Sequence, residues 1–161
     1  MFDLTDKVVL LTGATGGIGK SIAKRMKEKG AKLILSGTRQ NILNELSSEL
    51  GDNTKVIATD LTSKESILSL AKEAESSFGH IDILINNAGI TADNLFLRMK
   101  DEEWENVINV NLSASMRLTR QVIKGMLKRK SGRIIFISSI VGFTGNPGQA
   151  NYSASKSALS G

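Results

Sequence analysis

The residues best suited to chemistry stand near the end of the chain, where Tyr152 and Lys156 lie four positions apart. On a helix this spacing places both side chains on one face, and an ammonium beside a phenol stabilises the phenolate form. A tyrosine in this setting can donate a proton to a carbonyl oxygen as a hydride reaches the carbonyl carbon. An isolated pair is more often a packed tyrosine beside a solvated lysine, but Ser139 and Asn111 favour the catalytic interpretation.

A glycine-rich segment over residues 12–19 is the second chemical feature, and a helical stretch follows it over residues 20–29. Glycines allow a sharp turn and bring backbone N–H groups and a helix N-terminus close to a pyrophosphate. A glycine-rich turn without a ligand is the alternative, but the strand–loop–helix order favours phosphate binding. The spacing of Gly13, Gly17 and Gly19 differs from that of the commonest dinucleotide fingerprint.

Five short runs rich in Val, Ile and Leu predict the strands that position these residues, at 7–12, 32–36, 54–58, 81–85 and 133–138. Their apolarity is continuous rather than alternating, which is typical of strands covered on both faces. A helical segment fits between successive strands. The sequence therefore predicts an α/β fold, a doubly wound parallel sheet of the Rossmann type, in a single domain over residues 1–161.

Ligands of such sheets bind outside the carboxyl ends of the strands, where the strand order reverses. The glycine-rich segment, Asp60, residues 86–89 and Ser139 all follow predicted strand ends. We therefore expect them to line one crevice.

The connecting segments carry helix signals. Gly30 should end the first helix, and residues 62–65 read as a capping box with Thr62 as N-cap. The longest predicted helix runs over residues 101–130, with Asn111 in its interior. It carries two apolar rows, one through Trp104, Ile108, Leu112, Thr119 and Ile123 and the other through Val107, Ala114, Leu118 and Val122. Either a subunit contact covers the row that does not face the sheet, or the helix has one wide buried stripe.

Composition excludes several classes of site and partner. The chain has no cysteine, so it has no disulfide, thiolate metal site or cysteine nucleophile. Its 21 Lys and Arg are scattered against 16 Asp and Glu, which disfavours nucleic-acid binding. The apolar runs are far shorter than the roughly 20 residues that cross a bilayer, and residues 1–7 do not resemble a secretory signal. We expect a cytoplasmic protein without a membrane partner and, with His80 isolated, without a metal site.

Taken together, the motifs resemble those of the short-chain dehydrogenase/reductase family, over the chain from about residue 7 to its last residue. The matching features are the glycine spacing, Asp60-Leu61, the Asn-Asn-Ala-Gly run at 86–89, Asn111, and Ser139 followed thirteen residues later by Tyr152 and then Lys156. Residues 94–99 and 146–152 are especially similar to bacterial 3-oxoacyl-(acyl carrier protein) reductases.

The resemblance implies a role for each matching residue. Ser139 would bond the substrate oxygen, Tyr152 would be the general acid/base, Lys156 would hold the nicotinamide ribose, and Asn111 would carry a water in a proton relay. The cofactor-binding residues implied are Gly13, Thr15, Gly17, Ile18, Gly19, Thr38, Arg39, Asp60, Leu61, Asn87, Ala88, Gly89, Tyr152 and Lys156.

The residues after the second predicted strand indicate which cofactor is used. An acidic residue there would bond the adenosine ribose and repel a 2′-phosphate, but the chain has Thr38 and Arg39, and Arg39 can pair with a phosphate. We therefore expect NADP rather than NAD. Many family members have a basic residue where this chain has Gly16, which weakens the indication.

The predicted function is NADPH-dependent reduction of 3-oxoacyl-(acyl carrier protein) in fatty-acid biosynthesis. The alternatives are reduction of another ketone or oxidation of a secondary alcohol, and a non-catalytic nucleotide-binding regulatory protein. The resemblance implies a homotetramer. It also implies docking of an acidic carrier protein beside the active-site mouth, at Lys128, Arg129 and Lys130, although cations are ordinary at a helix C-terminus. By the same resemblance the chain stops inside the helix that carries Tyr152, before two further strands.

Overall fold

The computed structural model describes residues 3–161 and contains a parallel sheet of five strands. The strands are β1 (Val8–Leu11), β2 (Lys32–Gly37), β3 (Thr54–Ala58), β4 (Ile83–Asn86) and β5 (Arg133–Phe136). Their order across the sheet is β3-β2-β1-β4-β5, so the chain first winds outward from β1 and then returns to its other side. The Rossmann-type sheet predicted from the sequence is confirmed.

Helices cover both faces of this sheet. They are α1 (Gly17–Glu28), α2 (Gln40–Leu50), α3 (Lys64–Phe78), α4 (Asp101–Ile108), α5 (Ala114–Arg129), α6 (Val141–Thr144) and α7 (Ala150–Ala158). A 3-10 turn at Phe96–Arg98 precedes α4. In the described part of the chain, residues 3–161, no helix has the length and apolarity needed to cross a membrane.

The core is divided by the sheet into two apolar clusters. On one face, Val9, Leu11, Leu33 and Leu35 pack with α1 and α2. On the other, Val8, Leu10, Ile34 and Leu84 pack with α3 and α5, which contribute Ile67, Leu70, Leu118 and Val122. Because neighbouring residues of one strand enter opposite clusters, the strands are apolar without alternation, as their sequences indicated.

The continuous helix predicted over residues 101–130 is wrong in one respect. A π-turn at Asn109–Ser113 separates α4 from α5, and such turns take one residue more than an α-turn. Asn111 lies in the middle of the π-turn and is fully buried. The row through Val107, Leu118 and Val122 faces the core, whereas Trp104 of the other row is 38% exposed.

The predicted start of α3 also needs a correction. Ser63, not Thr62, is the N-cap, because its hydroxyl accepts the N–H of Ser66 at 3.1 Å. Thr62 instead donates its N–H and its hydroxyl to one carboxylate oxygen of Asp60, each at 2.8 Å. Gly30 follows the end of α1 with φ +86°, as expected of a helix stop.

Candidate active site

A crevice of about 710 Å³ opens at the carboxyl edge of the sheet, between β1 and β4, where the strand order reverses. It is lined by loops that follow all five strands and by two residues of α7. Among the predicted site residues it brings together Gly13, Thr15, Gly17, Ile18, Gly19, Thr38, Arg39, Asp60, Leu61, Asn87, Ala88, Gly89, Tyr152 and Lys156. Five distant parts of the sequence therefore meet as expected.

The glycine-rich loop is packed tightly on one side and open on the other. Gly13 has φ +65°, and a Cβ there would lie 2.7 Å from Cα of Ala88. A Cβ on Gly19 would collide with the carbonyl oxygen of Gly13. A Cβ on Gly17, by contrast, would meet nothing within 4 Å. Gly17 thus leaves space at the first turn of α1, where backbone N–H groups can bind an anion.

The loop after β4 is held against the glycine-rich loop by Thr12. The Thr12 hydroxyl accepts the N–H groups of Asn87 and Ala88, each at 3.1 Å. The amide of Asn87 donates to the carbonyls of Thr12 and Gly13, at 3.0 and 3.1 Å. Thr12 was not among the residues predicted for the site. Its position at the end of a buried strand, opposite the 86–89 run, is the signal that could have identified it.

Arg39 lies at the rim of the crevice, at the end of β2. Its guanidinium donates to the carbonyl oxygen of Thr15 at 2.9 Å and to the hydroxyl of Thr15 at 3.0 Å. The side chain is exposed and joins the rim to the glycine-rich loop. An exposed cation beside a phosphate-sized space is suited to bind a phosphate group.

Asp60 follows β3 and lines the same crevice. It accepts hydrogen bonds from the backbone N–H and the hydroxyl of Thr62, and both lower the pKa of its carboxyl below 3.8, the backbone N–H more than the hydroxyl. The carboxylate therefore stays ionised at neutral pH and fixes the turn that leads to α3.

Tyr152 and Lys156 share one face of α7, as their spacing predicted. The Lys156 ammonium lies 5.7 Å from the centre of the Tyr152 ring and donates to the carbonyl of Ile137 at 2.7 Å. Lys156 is only 4% exposed, and this burial lowers the pKa of its ammonium below 10.5. The tyrosine is half-buried and lines the crevice, where its phenol can reach a bound molecule.

Asn111 lies behind the crevice rather than in its wall. Its Oδ1 accepts the N–H of Ile90 at 2.8 Å, and its Nδ2 donates to the carbonyl of Ile90 and to the hydroxyl of Ser155, both at 3.0 Å. Both amide protons are therefore in use within the chain. This side chain joins the loop after β4 to α7, a structural task that the sequence did not indicate.

Ser139 and its neighbour Ser138 have different surroundings. Ser138 lines the crevice, and its hydroxyl donates to the carbonyl of Lys156 at 2.7 Å. Ser139 lies one residue further, half-buried, and its hydroxyl accepts the N–H of Val141 at 3.3 Å. The substrate-binding role of Ser139 stays a prediction, and in this structure its hydroxyl caps the turn that leads into α6.

The basic cluster Lys128–Lys130 lies away from the crevice. Arg129 donates to the carbonyl of Ile81, just before β4, at 2.6 Å, so the end of α5 meets the amino edge of the sheet. The cluster was expected beside the mouth of the crevice, which is at the carboxyl edge of the sheet. Within a single chain that expectation is therefore wrong.

Among residues 3–161, no group of three or more His, Asp or Glu side chains is arranged to hold a metal ion. The side chain of His80 is 38% exposed, and its Nε2 lies 3.0 Å from a carboxylate oxygen of Asp82.

Comparison with known proteins agrees with this geometry. The family model described as short chain dehydrogenase matches residues 7–161. A nodulation protein G from a Rhizobium species is 48% identical over 161 residues, which are 100% of this chain and 66% of that protein. The 3-oxoacyl-(acyl-carrier-protein) reductase FabG of Vibrio cholerae is 48% identical over 159 residues, 99% of this chain and 65% of the relative.

The reductase of the same name from Escherichia coli is 48% identical over 155 residues, 96% of this chain and 64% of the relative. The chain thus spans slightly less than two thirds of the length of these relatives.

Proposed function

Because the chain belongs to the short-chain dehydrogenase family, we propose that it reduces the 3-oxo group of an acyl chain carried on an acyl carrier protein, with NADPH as reductant. The observation that carries this proposal is the meeting of Tyr152, Lys156 and the glycine-rich loop in one crevice. The 48% identity to two reductases of this name supports the choice of substrate.

The crevice suits a dinucleotide in volume and in chemistry. Gly17 and the first N–H groups of α1 would receive the pyrophosphate, and Arg39 would pair with the 2′-phosphate that distinguishes NADPH from NADH. Asn87, Ala88 and Gly89 line the middle of the crevice. Lys156 would bond the ribose nearest the reacting carbon. Bound there, NADPH supplies the hydride.

Tyr152 completes the reduction by giving its phenolic proton to the carbonyl oxygen of the substrate as the carbonyl carbon accepts the hydride. The C=O double bond becomes a C–O single bond, and the product is a 3-hydroxyacyl group. The nearby Lys156 ammonium stabilises the phenolate that remains on Tyr152. Ser139 would donate a hydrogen bond to the same substrate oxygen and hold it in place for proton transfer.

The proposal is tested by following NADPH absorbance in the natural protein that carries this sequence, at its full length. We expect reduction of acetoacetyl carrier protein, and loss of nearly all turnover in Tyr152→Phe with NADPH binding retained. Activity only with other ketones or secondary alcohols would overturn the proposal that the substrate is a 3-oxoacyl group on a carrier protein. Sequence identity alone does not choose between these substrates, since nodulation protein G, a protein of another name, is as similar to the chain as the reductases are.

We also propose that the acidic carrier protein docks on Lys128, Arg129 and Lys130. Since this cluster is at the edge of the sheet opposite the crevice of its own chain, docking there can serve only the crevice of a second copy. The proposal therefore requires an assembly, which agrees with the expected homotetramer and with the apolar row in which Trp104 is exposed and Ile108 and Ile123 are half-buried.

Docking is tested with Lys128→Glu/Lys130→Glu, which keeps the bond from Arg129 to Ile81. We expect a higher KM for the carrier-bound substrate, a smaller effect at high salt because such charges are screened over about 8 to 10 Å, and unchanged reduction of a small 3-ketoester. Equal KM values for wild type and variant, or a monomeric wild type, would reject docking at this cluster.

A further inference from the structure

Helix α7, which carries Tyr152 and Lys156, is attached to the rest of the protein in an unusual way. The residues that it buries are all polar, namely Asn151, Ser155 and Lys156. Most helices are held by an apolar stripe, whose contacts are not directional. Hydrogen bonds are directional, so the orientation of α7 depends on the individual partners of these side chains.

Asn151 makes the most extensive of these contacts. It is fully buried, and its Nδ2 donates to the carbonyl of Ala92 at 3.0 Å and to the carbonyl of Glu103 at 3.3 Å. Its Oδ1 accepts the N–H of Tyr152 at 2.7 Å. One amide group therefore connects the loop after β4, helix α4 and the peptide group that bears the tyrosine.

We propose that Asn151 is a positioning residue for Tyr152, which sets where the phenol lies in the crevice by fixing the first turn of α7 against Ala92 and Glu103. This inference rests on the proposed function, since it concerns the group that donates the proton. Tyr152 is the next residue along the chain, so a tilt of this turn moves the phenol directly. A misplacement of about 1 Å can lower a rate about a hundredfold.

The other attachments of α7 do not replace Asn151. In the first turn the hydroxyl of Ser153 donates to the carbonyl of Val141 at 2.7 Å, which links α7 to α6 but not to the loop after β4 or to α4. The hydroxyl of Ser155 accepts from Asn111 at 3.0 Å, and the carbonyl of Lys156 accepts from Ser138 at 2.7 Å, about one turn beyond Tyr152. Removal of the Asn151 side chain should thus leave α7 docked at its far end, with its first turn held only against α6 and free to tilt.

The test compares Asn151→Ala with wild type and with Leu46→Ala in the natural protein at its full length. Leu46 is 3% exposed in α2, on the other face of the sheet, so its truncation lowers stability without touching α7. We expect kcat of Asn151→Ala to fall roughly ten- to a hundredfold, with the KM for the ketone and for NADPH nearly unchanged. Leu46→Ala should keep the wild-type kcat.

Asn151→Leu provides a second variant if the alanine protein is poorly folded. It fills nearly the same space without placing a charge beside the carbonyls of Ala92 and Glu103, but it loses every hydrogen bond of the Asn151 side chain, so we expect a similar fall in kcat. Wild-type kcat in both variants, or a loss no larger than that of Leu46→Ala, would overturn the proposal.

A second measurement does not depend on turnover. Tyr152 is the only tyrosine in these 161 residues, and in the full-length protein its ring NMR signals are identified as those of labelled tyrosine that disappear in Tyr152→Phe. We expect these signals to shift and broaden in Asn151→Ala and to stay in place in Leu46→Ala. Unchanged signals in Asn151→Ala would overturn the inference, whereas shifted signals in an enzyme without ketone reductase activity would overturn only the proposed function.

Discussion

The proposed preference for NADPH over NADH should weaken when Arg39 is replaced by alanine. Arg39 is the cation at the end of β2, where a 2′-phosphate on the adenosine ribose would lie. The substitution also removes two hydrogen bonds to Thr15, which help to hold the glycine-rich loop. Loss of those bonds affects both cofactors alike, so the ratio of the two catalytic efficiencies isolates the contact with the phosphate.

The size of the effect follows from the exposure of the side chain. A hydrogen bond to a charged group contributes about 1.5 to 3 kcal/mol, and exposure of Arg39 to solvent reduces this to about 1 kcal/mol or less. The NADPH-to-NADH ratio of kcat/KM should therefore fall up to about fivefold. The fall should be smaller at high salt, because an exposed ion pair is screened.

The assay measures kcat/KM for each cofactor in wild type, Arg39→Ala and Arg25→Ala. Arg25 provides the matched control, since it is an exposed arginine on α1 that pairs with Glu28 at 2.7 Å, away from the crevice. Its variant has the same net charge as Arg39→Ala and should keep the wild-type ratio. An unchanged ratio in Arg39→Ala, or an equal fall in both variants, would refute the assignment of Arg39 to the phosphate.

Two further outcomes follow from the same geometry. Lys156→Met should abolish reduction yet raise the free energy of unfolding by about 1 kcal/mol at neutral pH, because it removes a buried cation. Burial lowers the pKa of Lys156 below 10.5, so the stability gained by the variant should shrink as pH rises through the folded-state pKa toward 10.5. Denaturant unfolding of wild type and variant at several pH values measures this gain. A difference in unfolding free energy that does not change with pH would contradict the removal of a buried cation as its cause. Gly19→Ala should lower the free energy of unfolding by about 1 to 3 kcal/mol, because its Cβ meets the backbone of Gly13 and Ala14. Gly17→Ala should have the wild-type free energy of unfolding but bind NADPH more weakly. Equal stability of Gly19→Ala and Gly17→Ala would contradict the steric argument, because it would show that the loop moves to make room for the Cβ of residue 19.

The sheet and the crevice could be predicted because their causes are local. Continuous apolar runs such as residues 32–36 identify buried parallel strands, and residues after strand ends meet at one edge by topology. The positions of Gly13, Asp60 and Asn87 in the crevice follow from that rule, whereas Tyr152 was identified by its spacing from Lys156 and by the family resemblance. Strand ends were less certain: β4 begins at Ile83 rather than at residue 81.

The remaining errors involve contacts between distant segments. The π-turn depends on Asn111 reaching Ile90 and Ser155, which lie 21 and 44 positions away, and helix periodicity carries no such information. The bonds of Asn151 to Ala92 and Glu103 were missed for the same reason. The basic cluster Lys128–Lys130 was misplaced because a helix after a strand returns to the opposite edge of the sheet, a rule that the charge pattern alone does not express.

The π-turn at Asn109–Ser113 also limits how the gene can change in length. Because a π-turn holds one residue more than an α-turn, a single-codon deletion in this stretch would let α4 and α5 join as one regular helix while Val107 and Leu118 still face the core. The loss would fall on Asn111, whose bonds to Ile90 and Ser155 join the loop after β4 to α7. A shortened protein should therefore keep its fold but hold the helix of Tyr152 less firmly, so a redesigned version should keep the length of this segment even where its residues vary.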